Sequence, residues 1–243
     1  MLRIGVDIGG TGIKAAPVDC ETGELAADRF RIPTPKGAKP KEVGEVVKQV
    51  VEHFSDVDGA VGITFPGVVL HGVVETAANV SHEWIGYEAD TAFSQDLGRS
   101  VTLLNDADAA GVAEMRFGAG RDRKHVVIMI TLGTGIGTAV FTDGVLVPNT
   151  ELGHIEIDGH DAETKASGSA RDREKLSTKE YAKRLSRYLA HLDALLWPDL
   201  VILGGGVSKQ GEKYLSLLNV RCEVVLAQLR NNAGIVGAAL NAR

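Results

Sequence analysis

The segment Leu2-Arg-Ile-Gly-Val-Asp-Ile-Gly-Gly-Thr-Gly-Ile-Lys14 is a short apolar run that ends in an aspartate and a cluster of glycines. Apolar residues at 15–18 and a turn at 21–24 follow, which predicts strand, glycine turn, strand and turn at the start of the protein. The same order recurs from residue 125, where an apolar run leads into Gly133-Thr-Gly-Ile-Gly137, a second strand at 138–141 and a hairpin turn at 143–144. This duplication predicts two related lobes.

The remaining pattern alternates helices with buried strands. Apolar spacing predicts helices over 43–54, 91–97, 107–117 and 233–240, and strands over 59–65, 100–104 and 200–203. The capping box Ser177-Thr-Lys-Glu180 predicts the start of a long helix. Its expected buried stripe is Tyr181, Leu185, Tyr188, Leu192 and Leu195.

Composition narrows the class of protein. The chain has 243 residues and a net charge of −6, which disfavours a nucleic-acid-binding surface. Its two cysteines, Cys20 and Cys222, have no metal-like spacing and fit a reducing compartment. No apolar run approaches the roughly 20 residues that span a bilayer, and the N-terminus does not resemble a signal peptide. We therefore expect a cytoplasmic protein without membrane or nucleic-acid partners.

Three apolar strands end in glycine clusters, at Gly9/Gly10/Gly12, at Gly133/Gly135/Gly137 and at Gly204/Gly205/Gly206. Glycine lets backbone N–H groups approach a phosphate without a Cβ in the way, and the hydroxyls of Thr11 and Thr134 add donors. A tight hairpin explains one such cluster equally well, but three of them favour phosphate binding. Neither a P-loop nor a strand–GxGxxG–helix unit is present.

Carboxylates accompany these turns. Asp7 precedes the first cluster, where it is placed to hold Mg²⁺ through water or, alternatively, to cap the turn. Asn105-Asp106 follows a buried strand, and either residue is a natural cap for the next helix. An aspartate there also suits the general base that accepts a proton from an attacking hydroxyl. Asp108 is expected to face solvent.

Glu151 and His154 lie three residues apart in a polar segment, where both are able to bind vicinal hydroxyls; a plain surface loop is the alternative. The nearby acidic and histidine residues also raise the possibility of a metal site. Without cysteines or a helical His-x-x-x-His, this interpretation is disfavoured.

Seven motifs, in order along the whole chain, resemble the ROK sugar kinases of the actin-like ATPase superfamily: Asp7–Lys14, Gly62–Gly67, Ala78-Asn79 with Trp84, Asn105-Asp106, Leu132–Gly137, Glu151–His154 and Leu203–Val207. The resemblance implies an α/β fold of two ribonuclease-H-like lobes, each a mixed sheet flanked by helices, that close over a sugar and a phosphate donor. The lobes are expected at 1–106 with 231–243, and at 107–230. Homodimers are usual in the family.

The resemblance also implies roles for individual residues. Asp106 matches the family's catalytic base. The matching sugar contacts are Gly67, Asn79, Asn105, Glu151, His154 and Glu163. The matching phosphate and nucleotide side is Asp7, Gly9, Gly10, Thr11, Gly12, Lys14, Gly133, Thr134, Gly135, Gly204, Gly205 and Gly206, with Mg²⁺ at Asp7. The family's usual cysteine cluster between the histidine and the last glutamate is missing, so structural zinc is not expected and His154 stays available to sugar.

That departure, with the segments 130–139 and 229–238, resembles the polyphosphate glucokinase branch. The resemblance implies glycolytic phosphorylation of glucose from inorganic polyphosphate, with ATP as an alternative donor. Residues 165–187 carry eight basic and three acidic residues, a net charge of +5 in a protein of −6. A polyanion needs such a track, whose predicted residues are Arg171, Arg173, Lys179, Lys183 and Arg187. A solvated helix face is the alternative.

Other functions remain open at this point. An ATP-dependent glucokinase, or a kinase for mannose or another hexose, differs from this prediction only in donor groove or in one or two hydroxyl contacts. A sugar-sensing repressor of the same family needs an N-terminal helix-turn-helix, for which the phosphate loop at Asp7 leaves no room.

Overall fold

The computed structural model describes residues 1–78 and 80–243, except for the side chains of residues 209 and 210. Two compact units make up the chain, one of Met1–Ala113 with Asn232–Arg243 and one of Glu114–Asn231. The lobe boundaries expected from the family resemblance stay a prediction. No helix among the described residues is long and apolar enough to cross a membrane.

The elements alternate in the expected α/β manner. The strands are β1 (Leu2–Gly9), β2 (Gly12–Asp19), β3 (Phe30–Ile32), β4 (Val61–Phe65), β5 (Val69–Leu70), β6 (Val73–Val74), β7 (Val101–Asn105), β8 (Val126–Leu132), β9 (Ile136–Thr142), β10 (Val145–Val147), β11 (Glu156–Ile157), β12 (His160–Asp161), β13 (Leu200–Gly204) and β14 (Glu223–Leu226). The helices are α1 (Pro40–Glu52), α2 (Ala89–Leu97), α3 (Asp106–Phe117), α4 (Glu163–Ala166), α5 (Gly168–Arg173), α6 (Thr178–Leu196), α7 (Glu212–Leu215) and α8 (Ala233–Asn241).

The two units contain sheets of the same topology. The first sheet has the order β3-β2-β1-β4-β7, and the second has the order β10-β9-β8-β13-β14. In each sheet three consecutive strands pair antiparallel. A fourth strand then pairs parallel with the first of them, and a fifth pairs parallel with the fourth. The duplication predicted from the two glycine turns is therefore confirmed, and so is the mixed character of both sheets.

In the first unit α8 packs directly on the sheet because two strand glycines make room for it. A Cβ on Gly5 would lie 1.9 Å from the Ile235 carbonyl oxygen, and a Cβ on Gly62 would lie 1.7 Å from that of Ala238. Any side chain at either position would push the helix away. The last residues of the chain therefore belong with its first strand.

The second unit is built around α6. Its capping box is present: the Ser177 hydroxyl accepts a hydrogen bond from the backbone of Glu180, whose carboxylate accepts one from the backbone of Ser177. Tyr181, Leu185, Tyr188 and Leu192 are buried as predicted. Leu195 is 60% exposed, so its place in the stripe was wrong; it lies in the last turn, at the edge of the core.

Other predictions also need correction. Asp108 was expected on the solvent face of α3 but is 2% exposed, because its side of the first helical turn faces the core whereas that of Asp106 does not. Gly137 was assigned to a turn but lies inside β9, which begins at Ile136. The pattern also did not predict the short hairpins β5–β6 and β11–β12 or the strand β14.

Candidate functional site

Three parallel strands of the first unit bring the predicted residues to one sheet edge. β4 lies between β1 and β7, with Asp7 in register with Thr64 and Phe65 in register with Asn105. The carboxyl ends of parallel strands form a common edge, at which open α/β sheets bind their ligands. The motifs that follow Asp7, Phe65 and Asn105 therefore belong to a single surface.

Asp7 is held by two neighbours. The hydroxyl of the fully buried Thr64 donates to its Oδ1 at 3.1 Å, and the Lys14 ammonium donates to its Oδ2 at 3.1 Å. Sequence reasoning missed Thr64, which has no motif of its own and meets Asp7 only through strand pairing. Mg²⁺ usually keeps several of its waters and is bound by one or two carboxylates together with substrate phosphates. The partly exposed carboxylate of Asp7 therefore fits this ion as a ligand that acts through water.

Asn105 caps α3 and also fixes the loop after β4. Its Oδ1 accepts hydrogen bonds from the backbone of Ala107 at 2.8 Å and of Asp108 at 3.1 Å, and its Nδ2 donates to the Gly67 carbonyl at 3.1 Å. Within the described part of the chain, this leaves one Nδ2 hydrogen for a ligand. Asp106 is the first helical residue and is exposed.

Gly67 is constrained by packing, since a Cβ there would lie 2.5 Å from the Thr76 carbonyl oxygen. Asn79, the remaining predicted sugar contact of this half of the chain, lies outside the described residues.

The first glycine cluster forms a tight hairpin. Pairing of β1 with β2 extends to Gly9 and Gly12, so only Gly10 and Thr11 form the turn. Packing explains why residue 12 is glycine, because a Cβ there would lie 2.3 Å from Arg31 Nε. A Cβ on Gly10 would meet no described atom within 4 Å.

The other two clusters line one cavity of the second unit. It has a volume of about 340 Å³, and its lining includes Gly133, Gly206, Ser169 and Arg171. Its shape depends on Gly205, which has φ +77° and whose Cβ would lie 2.5 Å from the Leu132 carbonyl oxygen. Neither Gly133 nor Gly206 has a described atom within 4 Å of its Cβ position.

Gly10, Gly133 and Gly206 thus share an unusual property. None has φ in the left-handed region, and none has a packing neighbour that excludes a side chain. Neither backbone strain nor packing accounts for glycine there. Glycine at such an open position leaves the backbone accessible from outside.

The second unit also groups the predicted acidic and histidine residues. Glu151 precedes the 3₁₀ turn Leu152–His154, and the His154 Nε2 lies 4.0 Å from Glu151 Oε2. Burial raises the pKa of Glu151, and the nearby Glu163 adds to this while His154 opposes it. The hydrogen bond that His154 makes to the Asp161 carboxylate is the largest effect on the pKa of His154 and raises it. Burial lowers this pKa, and the charges of Glu163, Asp161 and Glu151 raise it.

Glu163 reaches this group from α4. Its Oε2 accepts a hydrogen bond from the Ile136 backbone at 3.0 Å. A Cβ on Gly135 would lie 2.2 Å from the same oxygen, so Gly135 makes room for this carboxylate, a role distinct from the predicted phosphate contact. Asp161 joins the group through His154 Nδ1, at 2.8 Å from its Oδ2.

The basic segment is partly neutralised. Lys179 and Lys183 are exposed on α6, opposite its buried stripe. Arg187 makes a two-point ion pair with Asp158, at 3.1 Å from Nε and 2.7 Å from Nη2. Arg173 donates to the Thr164 carbonyl at 2.8 Å and lies near Glu174, while the Arg171 guanidinium lies 5.5 Å from the centre of the Tyr181 ring.

The comparisons with known proteins agree with these motifs. The model of the ROK family matches residues 3–173. A polyphosphate glucokinase of Mycobacterium tuberculosis is 47% identical over 237 residues, which are 97% of this chain and 89% of that protein. The crystal structure of an inorganic polyphosphate/ATP-glucomannokinase from Arthrobacter sp. strain KM matches with a TM-score of 0.94 and 53% identity, covering 98% of this chain and 97% of that one. A ROK family glucokinase from Streptomyces griseus, solved with glucose and AMPPNP, matches with a TM-score of 0.85 and 29% identity, covering 100% and 99% of the two chains.

The half-buried carboxylate of Glu151 is expected to lower stability at high pH. A carboxyl group whose pKa is raised in the folded state favours folding below its unfolded pKa, about 4.3, and loses that contribution as pH rises through the folded value. The free energy of unfolding of Glu151→Gln, relative to that of the parent protein, should therefore be higher at about pH 8 than at about pH 4. Urea unfolding at both pH values measures this, with the exposed Glu156→Gln as control. A difference that stays constant with pH would contradict the prediction.

Proposed function

The chain belongs to the ROK family, and from this premise we propose that it is a kinase that transfers a phosphoryl group from inorganic polyphosphate to the 6-hydroxyl of glucose. Support comes from the relatives named polyphosphate glucokinase and polyphosphate/ATP-glucomannokinase, which share about half of their residues with this chain over nearly its full length. ATP as a second donor and mannose as a second acceptor form the alternative, which the name of the Arthrobacter relative, a polyphosphate/ATP-glucomannokinase, favours.

The observation that supports phosphoryl transfer most directly is the set of Gly10, Gly133 and Gly206. These positions hold glycine although packing and backbone conformation would both tolerate a side chain. Backbone N–H groups at such positions are able to reach phosphate oxygens closely. We assign the donor to the cavity of the second unit lined by Gly133, Gly206 and Arg171. For the first unit, the family resemblance implies a phosphate contact at the turn of Gly10 and Thr11. We also assign Gly9, Gly12, Lys14, Thr134 and Gly204 to the phosphate side, as the family resemblance implies.

Asp106 is our candidate for the general base. Its position just after the Asn105 cap fixes its backbone, and a negative charge is favoured at the start of a helix. In the reaction the sugar O6 attacks the terminal phosphorus, the bridging P–O bond breaks, and the shortened polyphosphate leaves. The O6 proton goes to the Asp106 carboxylate.

Sugar binding is assigned to both halves of the sequence. Glu151, His154 and Glu163 offer a carboxylate, an imidazole and a second carboxylate to hydroxyl groups. Asn79, Asn105 and the Gly67 segment complete the proposed set. Mg²⁺ would be held through water by Asp7, where it would neutralise the charge of donor phosphates.

Three finer parts of the proposal rest on the family resemblance and the sequence. They are a cytoplasmic location in sugar breakdown, a homodimer, and a track for the polymer along Arg171, Arg173, Lys179, Lys183 and Arg187. For the track, the exposed ammonium groups of Lys179 and Lys183 provide the support. Arg187 and Arg173 would have to exchange their present acidic partners for phosphate, which is feasible because exposed ion pairs are weak.

Removing the proposed base tests the reaction. The purified protein with glucose and Mg²⁺ should form glucose 6-phosphate from polyphosphate, and Asp106→Asn should lower kcat by about 10²–10⁴ because proton acceptance is lost. Calorimetry should still detect glucose binding. Asp122→Asn, an exposed loop control, should retain activity. Product from ATP alone would remove the polyphosphate assignment, and an active Asp106→Asn would remove the base.

Side chains at the open glycines should affect the donor but not the fold. Gly133→Ala and Gly206→Ala should each raise the KM for polyphosphate about tenfold, because the added methyl group occupies space next to the phosphates. Their free energy of unfolding should change by less than about 1 kcal/mol. Gly205→Ala, which clashes with Leu132, is the contrast and should lose about 1–3 kcal/mol. An unchanged KM in both open-site variants would place the donor elsewhere.

Charge reversal on α6 tests the polymer track. Lys179→Glu combined with Lys183→Glu should raise the KM for long-chain polyphosphate several-fold and leave the KM for ATP nearly unchanged, since only the polymer extends beyond the cavity. The same change in charge at Lys41 and Lys48 on α1 is the control. Equal effects on both donors, or none on either, would make this face of α6 a solvated helix surface.

A further inference from the structure

The Asp161 carboxylate contacts two of the proposed sugar-binding residues at once. Its Oδ2 lies 2.8 Å from the His154 Nδ1, and its Oδ1 accepts a hydrogen bond from the Glu163 backbone at 3.1 Å. Asp161 ends β12, so the β11–β12 hairpin brings it between the 3₁₀ turn that carries His154 and the helix α4 that begins at Glu163.

The chemistry of this contact determines which nitrogen of His154 carries the proton. An ionised carboxylate only accepts hydrogen bonds, so Nδ1 must donate. In the neutral imidazole the hydrogen is then on Nδ1, and Nε2 has a free lone pair. Nε2 is the nitrogen on the Glu151 side of the ring, where it lies 4.0 Å from the Glu151 carboxylate.

We propose that Asp161 is a positioning residue for sugar binding, which holds His154 with its proton on Nδ1 so that Nε2 accepts a hydrogen bond from a sugar hydroxyl. The identity of the sugar rests on the proposed function, whereas the hydrogen-bonding state of His154 does not. The same carboxylate fixes the backbone at the start of α4 and thereby the position from which Glu163 extends.

Protonation of His154 removes this acceptor. Three acidic groups face the ring: Asp161 at Nδ1, Glu151 at Nε2 and Glu163 nearby, and all three raise the pKa of His154. Below that pKa both nitrogens donate, and Nε2–H is directed toward Glu151. Glucose affinity should therefore increase as pH rises through the raised pKa of His154.

Asparagine at position 161 should reverse the arrangement. The Glu163 backbone N–H can only donate, so it takes the single amide oxygen of the new side chain. The amide nitrogen is then left to donate to Nδ1, which forces the proton of the neutral ring onto Nε2. Asp161→Asn is therefore nearly isosteric but inverts the tautomer, and it removes the charge that raises the pKa.

The first test needs no variant. Nitrogen-15 NMR of the imidazole in the full-length protein, at a pH above the His154 pKa and with His154→Gln for assignment, should show a protonated Nδ1 and an unprotonated Nε2. The signals should exchange roles in Asp161→Asn. A proton on Nε2 in the unmodified protein would overturn the proposal.

The second test is kinetic. Asp161→Asn should raise the KM for glucose about tenfold, equivalent to about 1.4 kcal/mol, with the KM for polyphosphate unchanged. The increase in glucose affinity with rising pH should disappear in Asp161→Asn, because Nε2 then carries a hydrogen both above and below the pKa of His154. The control is Asp143→Asn, which alters an exposed carboxylate 3.7 Å from the Nδ1 of His125 in another hairpin. Parental kinetics in Asp161→Asn, with glucose affinity that still increases as pH rises, would overturn the proposal.

Failure of this inference is distinguishable from failure of the proposed function. If His154→Gln and Glu151→Gln raise the KM for glucose while Asp161→Asn does not, the sugar site stands and the role of Asp161 is refuted. If none of the three variants changes glucose binding, the assignment of the sugar site itself is wrong.

Discussion

The three hydrogen bonds of the Asn105 side chain determine where the chain turns from β7 into α3. Because Oδ1 accepts from two backbone N–H groups, the helix starts at Asp106. The backbone position from which the exposed Asp106 carboxylate extends is therefore fixed. Because Nδ2 donates to the Gly67 carbonyl, the loop after β4 is tied to the same point. The polar groups at this sheet edge thus depend on one buried amide. Removing it would leave buried backbone groups without partners, each at a cost of about 1–3 kcal/mol.

Glycine has three different physical roles in the clusters that mark the strand ends. Gly205 adopts a left-handed conformation, whereas Gly12 and Gly135 leave room for a side chain that arrives from elsewhere in the chain, Arg31 and Glu163 respectively. Gly10, Gly133 and Gly206 have neither reason, which is why we connect them with a bound phosphate. A glycine-rich motif is therefore a mixture of folding requirements and ligand requirements, and only the surroundings of each residue separate them.

The acidic group of the second unit illustrates how a proposed binding site opposes stability. Burial raises the pKa of Glu151, so its charged form is held at a cost to folding. For His154 the charged form is instead favoured, because the neighbouring Asp161 carboxylate stabilises the imidazolium and raises its pKa. Neighbouring residues thus shift the proton equilibria of a carboxylate and an imidazole that both face the same solvent-accessible region. Such groups are more consistent with ligand binding than with a purely structural network.

The sequence by itself determined the order of the main elements, the duplicated strand pattern, the capping box of α6 and the position of Asn105-Asp106 at a strand end. These features follow from residues close together in the chain, whose periodicity and turn chemistry are local. Only the tertiary structure decided that Asp108 is buried, that Leu195 is exposed, that Gly135 faces Glu163, and that Asp161 joins His154 to Glu163. These facts depend on how a helix face is oriented and on which distant segments meet, and a local pattern contains no record of either.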